Sequence, residues 1–255
     1  MPGMHMLPSP DACRSIFRNA DGSYDWQIEL NYGWSLIDKA SAGSLAAVIM
    51  EPILSSGGMI TIPRGYMAAM KEHCQKRNML LIIDEAQTAL GRYGDLFAIQ
   101  YEGVVPDILT LSKTLGNRLP LSAVITNDDI AVSASKNFLF YATHADDPLP
   151  AAVELKVLEI VLRNGLVERA RVAGAQLHVG LHRLMKRYGC IGGIRGRGMM
   201  VGVEIVSDRA TKAAAIEFRK RLSARMIVLS LSATISARSY FSGCIRIAPP
   251  FDNYG

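Results

Sequence analysis

The apolar residues in the first half of the chain fall into short runs separated by polar and glycine-rich segments. Four runs are rich in branched side chains and lack polar alternation: residues 45–50, 79–83, 108–111 and 121–126. This pattern is typical of strands buried on both faces of a parallel sheet. Between the first two runs, residues 63–77 begin with proline and place Met67, Met70 and Cys74 at helical spacing. The sequence therefore predicts a β-α-β unit.

Helical periodicity dominates the second half. Three helices are predicted by apolar or charged periodicity, over residues 149–163, 166–187 and 213–225. A glycine-rich turn at residues 195–198 precedes a strand that ends near residue 206. We therefore expect an α/β fold with a mostly parallel sheet in a large domain, residues 1–168, and a smaller α+β domain, residues 169–255.

Composition narrows the class of protein. With 49% apolar and 20% charged residues among 255, the chain is expected to fold around a sizeable core. The formal net charge is +5 and no basic run forms a stripe, so no nucleic-acid partner is expected. Four cysteines stand far apart without a Cys-x-x-Cys spacing, which argues against a disulfide framework and a zinc knuckle. With no signal peptide and no apolar stretch of membrane-spanning length, we expect a soluble protein of the cytoplasm.

Polar side chains stand at the carboxyl ends of three predicted strands. Glu51 follows the first strand, Asp84 and Gln87 follow the second, and Lys113 follows the third. Because the carboxyl ends of parallel strands meet at one edge of a sheet, these side chains are expected at a common rim. Alone, such an aspartate is most often a cap or turn residue and such a lysine is usually solvated.

Together these side chains form the chemical set that pyridoxal phosphate requires. A partly desolvated lysine can form a Schiff base with the aldehyde of the cofactor. A buried carboxylate that faces the pyridine nitrogen keeps this nitrogen protonated and makes the ring an electron sink. Lys113 and Asp84 are the candidates for these two roles, and their pairing is the central prediction from the sequence.

The second predicted strand has another interpretation. Residues 80–85 (LLIIDE) also resemble the Walker B strand of P-loop ATPases, in which the aspartate holds magnesium and the glutamate polarises water. Such an enzyme needs the pattern Gly-x-x-x-x-Gly-Lys-Ser/Thr, which the chain lacks, because Lys113 and Thr114 follow residues 109–112 without a glycine. A P-loop NTPase fragment is therefore a remote alternative.

Several motifs taken together resemble the class III aminotransferases, fold type I enzymes that depend on pyridoxal phosphate. The motifs are residues 51–58 (EPILSSGG), 83–88 (IDEAQT), 91–92 (GR), 106–116 (PDILTLSKTLG) and 119–121 (LPL). The resemblance covers nearly the whole chain and is strongest over residues 45–150. It implies the large domain of the aspartate aminotransferase type with a smaller C-terminal domain.

The resemblance implies cofactor-binding roles for individual residues. Lys113 would be the Schiff-base lysine and, once released, a general acid toward the substrate. Asp84 would pair with the pyridinium nitrogen, and Gln87 would lie near the phenolic oxygen of the ring. Thr143 matches the position from which the family reaches across a dimer to the cofactor phosphate.

The substrate side has a narrower resemblance. Residues 52–58, 143–148 and 245–250 are most similar to the 2,2-dialkylglycine decarboxylases of this family, which convert a 2,2-dialkylglycine and pyruvate into a ketone, carbon dioxide and alanine. Arg246 would bind the substrate carboxylate through two contacts, and Ser56 would orient the carboxylate that leaves. An ordinary class III aminotransferase acting on an amino acid and a 2-oxo acid is the alternative.

The resemblance also implies an assembly and a metal. The family suggests a homodimer or homotetramer with a K⁺ or Na⁺ site at the dimer interface, where Thr143, Ala145 and Asp147 would supply oxygen ligands. The phosphate-binding turn and the ring-stacking aromatic residue of the family have no counterpart before residue 45. We therefore expect a chain that lacks the N-terminal part and the C-terminal end of the family. It would be active only within a longer chain, or it would be a catalytically silent remnant.

Overall fold

The computed structural model of the chain describes residues 3–117, 119–137, 145, 147–229 and 244–247. In these ranges the helices are α1 (Trp26–Ala40), α2 (Tyr66–Lys76), α3 (Asp128–Asn137), α4 (Pro148–Arg163), α5 (Leu166–Arg187) and α6 (Ile216–Leu229). The strands are β1 (Ala47–Met50), β2 (Ile53–Leu54), β3 (Ile60–Thr61), β4 (Leu80–Asp84), β5 (Ile108–Leu111), β6 (Ala123–Thr126), β7 (Ile191–Arg197), β8 (Met200–Ile205) and β9 (Cys244–Ile247). A 3₁₀ helix, Ala98–Glu102, lies between β4 and β5. None of the helices in these ranges combines the length and the apolar content needed to cross a bilayer.

The central sheet has the strand order β1-β4-β5-β6. β1 pairs with β4 and β4 pairs with β5 in parallel, and α2 lies in the crossover from β1 to β4 as predicted. β6 pairs antiparallel with β5, so the prediction of a fourth parallel strand is wrong. A parallel return needs a crossover of roughly a dozen residues or more, usually helical, whereas the described residues between β5 and β6 form turns. The sheet is nevertheless mostly parallel, as the sequence predicts.

The outer strands of this sheet are more open than predicted. Leu81 and Ile83 of β4 are fully buried, but Ile49 of β1 is 64% exposed and Val124 of β6 is 66% exposed. The prediction of burial on both faces is therefore wrong for β1 and β6. In β1 the exposed residues Ala47 and Ile49 share one face, whereas Val48 and Met50 on the opposite face pack against the core.

The main core lies between the helices α1 and α2 and the central sheet. It contains these buried residues: Leu30, Trp34, Ile37, Met67, Met70, Cys74, Leu81 and Ile83. α1 begins after Asp25, whose carboxylate accepts a hydrogen bond from the backbone N–H of Ile28 at 3.0 Å. α1 was not predicted from the sequence, although its buried positions recur every three or four residues, as on one face of a helix.

A second, antiparallel sheet with the order β7-β8-β9 packs against α5. β7 and β8 form a hairpin, so most of the glycine-rich segment predicted as a turn belongs to β7 itself. The turn lies at Gly198, which has a φ of +57°. A Cβ atom on Gly174 of α5 would lie 2.2 Å from the carbonyl oxygen of Gly198. Helix and hairpin can therefore approach this closely only because Gly174 has no side chain.

The predicted helices of the second half are confirmed as α4, α5 and α6, with α6 shifted by a few residues toward the C-terminus. The predicted domain division after residue 168 falls in the first turn of α5 and stays a prediction. All four cysteines are free thiols.

The segment from β2 to β3, which forms a two-stranded antiparallel sheet, contacts the β7-β8-β9 sheet. The carbonyl oxygen of Gly58 accepts hydrogen bonds from Arg195 Nε at 2.7 Å and from Cys244 Sγ at 3.2 Å. Thr61 Oγ1 accepts from the backbone N–H of Gly196 at 3.0 Å. These contacts hold the small sheet against the segment from β2 to β3. Arg246 of β9 in turn reaches Gln87, which follows β4 in the central sheet.

Candidate active site

Asp84 and Lys113 lie at the carboxyl ends of neighbouring parallel strands. Asp84 is the last residue of β4, and Lys113 stands two residues beyond the end of β5. The half-buried carboxylate of Asp84 is oriented through Oδ1, which accepts from the backbone N–H of Ala86 at 2.9 Å and from Thr110 Oγ1 at 3.2 Å. The structure thus places both residues at the rim where the sequence predicted them.

Lys113 differs from its prediction in one respect. Partial desolvation of Lys113 was expected from the sequence, but its side chain is exposed in this structure. The reason is that it sits on a turn beyond the sheet edge rather than on the strand. Its backbone has a φ of +48°, a left-handed conformation that costs a non-glycine residue about 1–2 kcal/mol. Such strain is often found at functional positions.

A row of hydrogen bonds joins the loop after β1 to β9 through Gln87. Ser55 Oγ donates to Glu51 Oε2 at 2.6 Å, and Gln87 Nε2 donates to Ser55 Oγ at 2.5 Å. Arg246 Nη1 donates to Gln87 Oε1 at 3.0 Å. The structure therefore brings together Glu51, Gln87 and Arg246, which the sequence analysis singled out separately.

Ser55 is the residue of this row that the sequence analysis missed. The serine predicted for the substrate site was Ser56, which is exposed, whereas Ser55 is fully buried. The two serines are adjacent in the EPILSSGG motif, and nothing in the sequence distinguishes them. Which of them points inward depends on the turn after β2, where the Ser55 carbonyl oxygen accepts from the backbone N–H groups of Gly58 and Met59.

Arg246 has the electrostatic character of an anion-binding residue. Its Nε is buried and has no hydrogen-bond partner in the structure of the described residues. A second guanidinium, that of Arg92, lies near, and burial together with the charge of Arg246 lowers the pKa of Arg92. Two guanidiniums and an unpaired N–H group in one place favour an anionic ligand such as a carboxylate.

The predicted alkali-metal ligands are only partly visible. Thr143 lies outside the described residues, and Ala145 lies in an exposed turn. Asp147 caps α4, where its Oδ1 accepts from the backbone N–H of Leu149 at 3.1 Å. The alkali-metal site therefore stays a prediction.

Glu85 argues against the P-loop alternative. Its carboxylate is fully buried and accepts hydrogen bonds from the backbone N–H groups of Ala98 and Ile99 and from Thr88 Oγ1, each at 2.8–2.9 Å. Burial raises the pKa of Glu85 despite these donors. In a Walker B strand this glutamate would face a catalytic water. Here it secures the start of the 3₁₀ helix instead.

Two features define the class of protein. Parallel strands carry an aspartate and a lysine at one edge, and an arginine reaches that edge from a second sheet. The class is an α/β enzyme fold of the pyridoxal-phosphate transaminase type. The family described as Aminotransferase class-III matches residues 1–251. The chain therefore belongs to the class III aminotransferases, and this membership indicates pyridoxal phosphate as the cofactor.

Similar proteins come from distant organisms. The chain is 45% identical over 251 residues to an uncharacterized aminotransferase of Schizosaccharomyces pombe, covering 98% of this chain and 56% of that protein. It is 33% identical over 249 residues to a leucine/methionine racemase of Thermococcus litoralis, covering 97% and 55% of the two chains.

Solved structures have the same fold. An (S)-enantioselective omega-transaminase from Thermomicrobium roseum matches with a TM-score of 0.84 and 31% identity, covering 99% of this chain and 56% of the other. A PLP-bound amine transaminase from an uncultivated Pseudomonas species matches with a TM-score of 0.85 and 29% identity, covering 98% and 58%. This chain spans little more than half the length of these relatives.

Proposed function

We propose that this chain supplies the cofactor lysine, the ring-facing carboxylate and the carboxylate-binding arginine of a pyridoxal-phosphate transaminase. The reaction would move an amino group between an amino acid and a 2-oxo acid. The proposal is carried by the placement of Asp84 and Lys113 at the carboxyl ends of adjacent parallel strands.

The residues present fit the cofactor. Asp84 offers an acceptor-only carboxylate whose Oδ1 is already oriented, which suits the N–H group of a protonated pyridine ring. The amine of Lys113 has no hydrogen bond or ion pair with any described residue, so no partner has to be displaced when the cofactor binds. The donor set of Arg246 suits a substrate carboxylate.

Each of these residues has a defined task in the proposed reaction. Bound pyridoxal phosphate supplies an electron sink for the bond that breaks at the substrate α-carbon. Lys113 Nζ would hold the cofactor covalently and, once released, would move a proton at the α-carbon. Asp84 would keep the proton on the ring nitrogen. Arg246 would bind the substrate carboxylate and so decide which bond at the α-carbon is aligned for cleavage.

The finer proposal is a 2,2-dialkylglycine decarboxylase. It is supported by the EPILSSGG segment, in which Ser55 Oγ accepts a hydrogen bond from Gln87, whose carbonyl oxygen accepts one from Arg246. With 2-aminoisobutyrate and pyruvate, the products would be acetone, carbon dioxide and alanine. A version of the protein with the length of its relatives should release carbon dioxide and alanine in equal amounts. Alanine formed from other amino donors without carbon dioxide would identify an ordinary aminotransferase.

An oligomer is also proposed, as a homodimer or homotetramer. It is supported by apolar side chains that α4 leaves exposed, namely Leu149, Leu155 and Leu162. Analytical ultracentrifugation with and without pyridoxal phosphate tests this, and a monomer under both conditions would contradict it.

The competing candidate is a catalytically silent chain, and the exposure of Lys113 favours it. To decide, the 255-residue chain is incubated with pyridoxal phosphate, reduced with borohydride and mapped by mass spectrometry. We expect the cofactor to be attached at Lys113 in near-stoichiometric yield, and to be lost in Lys113→Ala. The matched control, Lys136→Ala on exposed α3, should keep it. Absent or scattered attachment would favour the silent chain.

A further inference from the structure

The hydrogen bonds between Glu51 and Arg246 form one continuous chain through two side chains, Ser55 and Gln87. The three links measure 2.6 Å, 2.5 Å and 3.0 Å. A further contact at 3.3 Å, from the backbone N–H of Ser55 to Glu51 Oε2, fixes the carboxylate at the start. This row of hydrogen bonds spans three segments that are far apart in sequence and joins the residues that follow β1 and β2 to the small sheet.

The two ends of this chain determine its direction. A carboxylate only accepts hydrogen bonds, so Ser55 must donate to Glu51 and can then only accept from Gln87. A guanidinium only donates, so Gln87 must present its carbonyl oxygen to Arg246. Both requirements are met by the same orientation of the Gln87 amide. A flipped amide would place its NH₂ group against the guanidinium and its oxygen against the serine oxygen.

Burial makes this direction energetically important. Ser55 is fully buried, and its backbone carbonyl is held by the turn after β2. A buried hydroxyl that loses its partners costs more free energy than an exposed one. The Gln87 amide is therefore strongly biased toward one orientation before any ligand binds.

We infer that Ser55 and Glu51 are positioning residues for the carboxylate-binding arginine. They hold the Gln87 amide so that it engages only Nη1 of Arg246, and this leaves the buried Nε–H for a monocarboxylate. The charge of Arg92 nearby strengthens the attraction for the anion. The inference rests on the proposed role of Arg246. It gives Glu51, which the sequence placed at the rim, a defined task, and it adds Ser55, which the sequence did not single out.

The test uses the 255-residue chain and two measurements, the affinity for pyruvate by calorimetry and the rate of phenylglyoxal modification at Arg246 by mass spectrometry. Ser55→Ala and Glu51→Gln should weaken pyruvate binding about three- to tenfold, the effect of roughly one hydrogen bond. Both should also speed modification of Arg246, because the guanidinium is held less firmly. The matched control, Ser135→Ala on exposed α3, should change neither value.

Gln87→Glu separates positioning from a general loss of structure. The new carboxylate would pair ionically with Arg246, so it should weaken pyruvate binding by about tenfold or more and slow phenylglyoxal modification. General loosening of the site would instead speed modification in Gln87→Glu and Ser55→Ala alike. Circular dichroism of each variant verifies that it folds.

The outcomes distinguish the inference from the proposed function. If Arg246→Gln leaves pyruvate binding unchanged, the proposed role of Arg246 is wrong, and the modification rates alone then test the positioning. If Arg246 is modified at the same rate in Ser55→Ala as in the wild type, the positioning inference is overturned, whatever the affinity for pyruvate. Opposite shifts of the modification rate in Ser55→Ala and Gln87→Glu support it.

Discussion

The buried carboxylate of Glu204 offers the sharpest test of how the N-terminal segment is joined to the small sheet. Glu204 lies in β8, and its side chain is fully buried between two arginines. Arg14 Nη2 contacts Oε1 at 2.5 Å and Arg195 Nη2 contacts Oε2 at 2.7 Å. The perturbation is Glu204→Gln, which keeps the shape and removes the charge.

The expected magnitude follows from the different burial of the two arginines. The Arg195 side chain is only 15% exposed, so without Glu204 it would be a buried cation lacking its counter-charge. Removing one partner of a buried ion pair typically costs about 3–5 kcal/mol. The Arg14 side chain is 38% exposed, and its loss would leave Glu204 still neutralised by Arg195. For Arg14→Gln we therefore expect a smaller loss, about 1–2 kcal/mol, from one charged hydrogen bond.

The assay is urea unfolding at neutral pH, supported by thermal unfolding, in which Glu204→Gln should lower the midpoint by about 6–20 °C. Glu72→Gln is the matched control, because Glu72 pairs with Lys76 on the surface and both side chains are more than two-thirds exposed. It should change stability by less than about 0.5 kcal/mol. The reasoning would be refuted if Glu204→Gln behaved like the control, or if Arg14→Gln cost as much as Glu204→Gln.

Two further predictions concern helix packing and acid sensitivity. Gly174→Ala should destabilise the protein by about 1–3 kcal/mol, because the new Cβ would meet the Gly198 carbonyl oxygen. Gly180→Ala in the same helix has open space around the new Cβ and should stabilise the protein by up to about 1 kcal/mol. Thermal unfolding gives the midpoint of each variant, and equal changes in the two midpoints would contradict the close approach of Gly174 to Gly198. Burial tends to raise the pKa of Asp107, but hydrogen bonds from a β4 backbone N–H and from Lys71 outweigh it and hold the pKa below 3.8. Its stabilising contribution is present above pH 3.8 and is lost as the pH falls through the lower folded value. The free energy of unfolding of Asp107→Asn, measured by urea titration at a series of pH values, should therefore fall less steeply with acid in this range than that of the wild type. An unchanged dependence of this free energy on pH would contradict the prediction.

Local pattern was sufficient for most of the elements. The runs over residues 79–83 and 108–111 became β4 and β5 nearly residue for residue, since branched apolar side chains favour buried strands. Periodicity also located α2, α4 and α5. The direction of β6 was mispredicted, because it depends on how the chain returns after β5, which is a property of the connection rather than of the strand.

The site was predictable only in part. The sequence alone placed Asp84 and Lys113 at one rim, because the carboxyl ends of parallel strands share an edge, and it pointed to the family to which the chain belongs. Tertiary structure decided that Ser55 rather than Ser56 points inward, that Glu85 turns away to hold the 3₁₀ helix, and that Arg246 meets Gln87 across 159 positions of sequence. The position of a strand and the presence of a motif follow from neighbouring residues. These contacts instead depend on packing between segments that no local pattern connects.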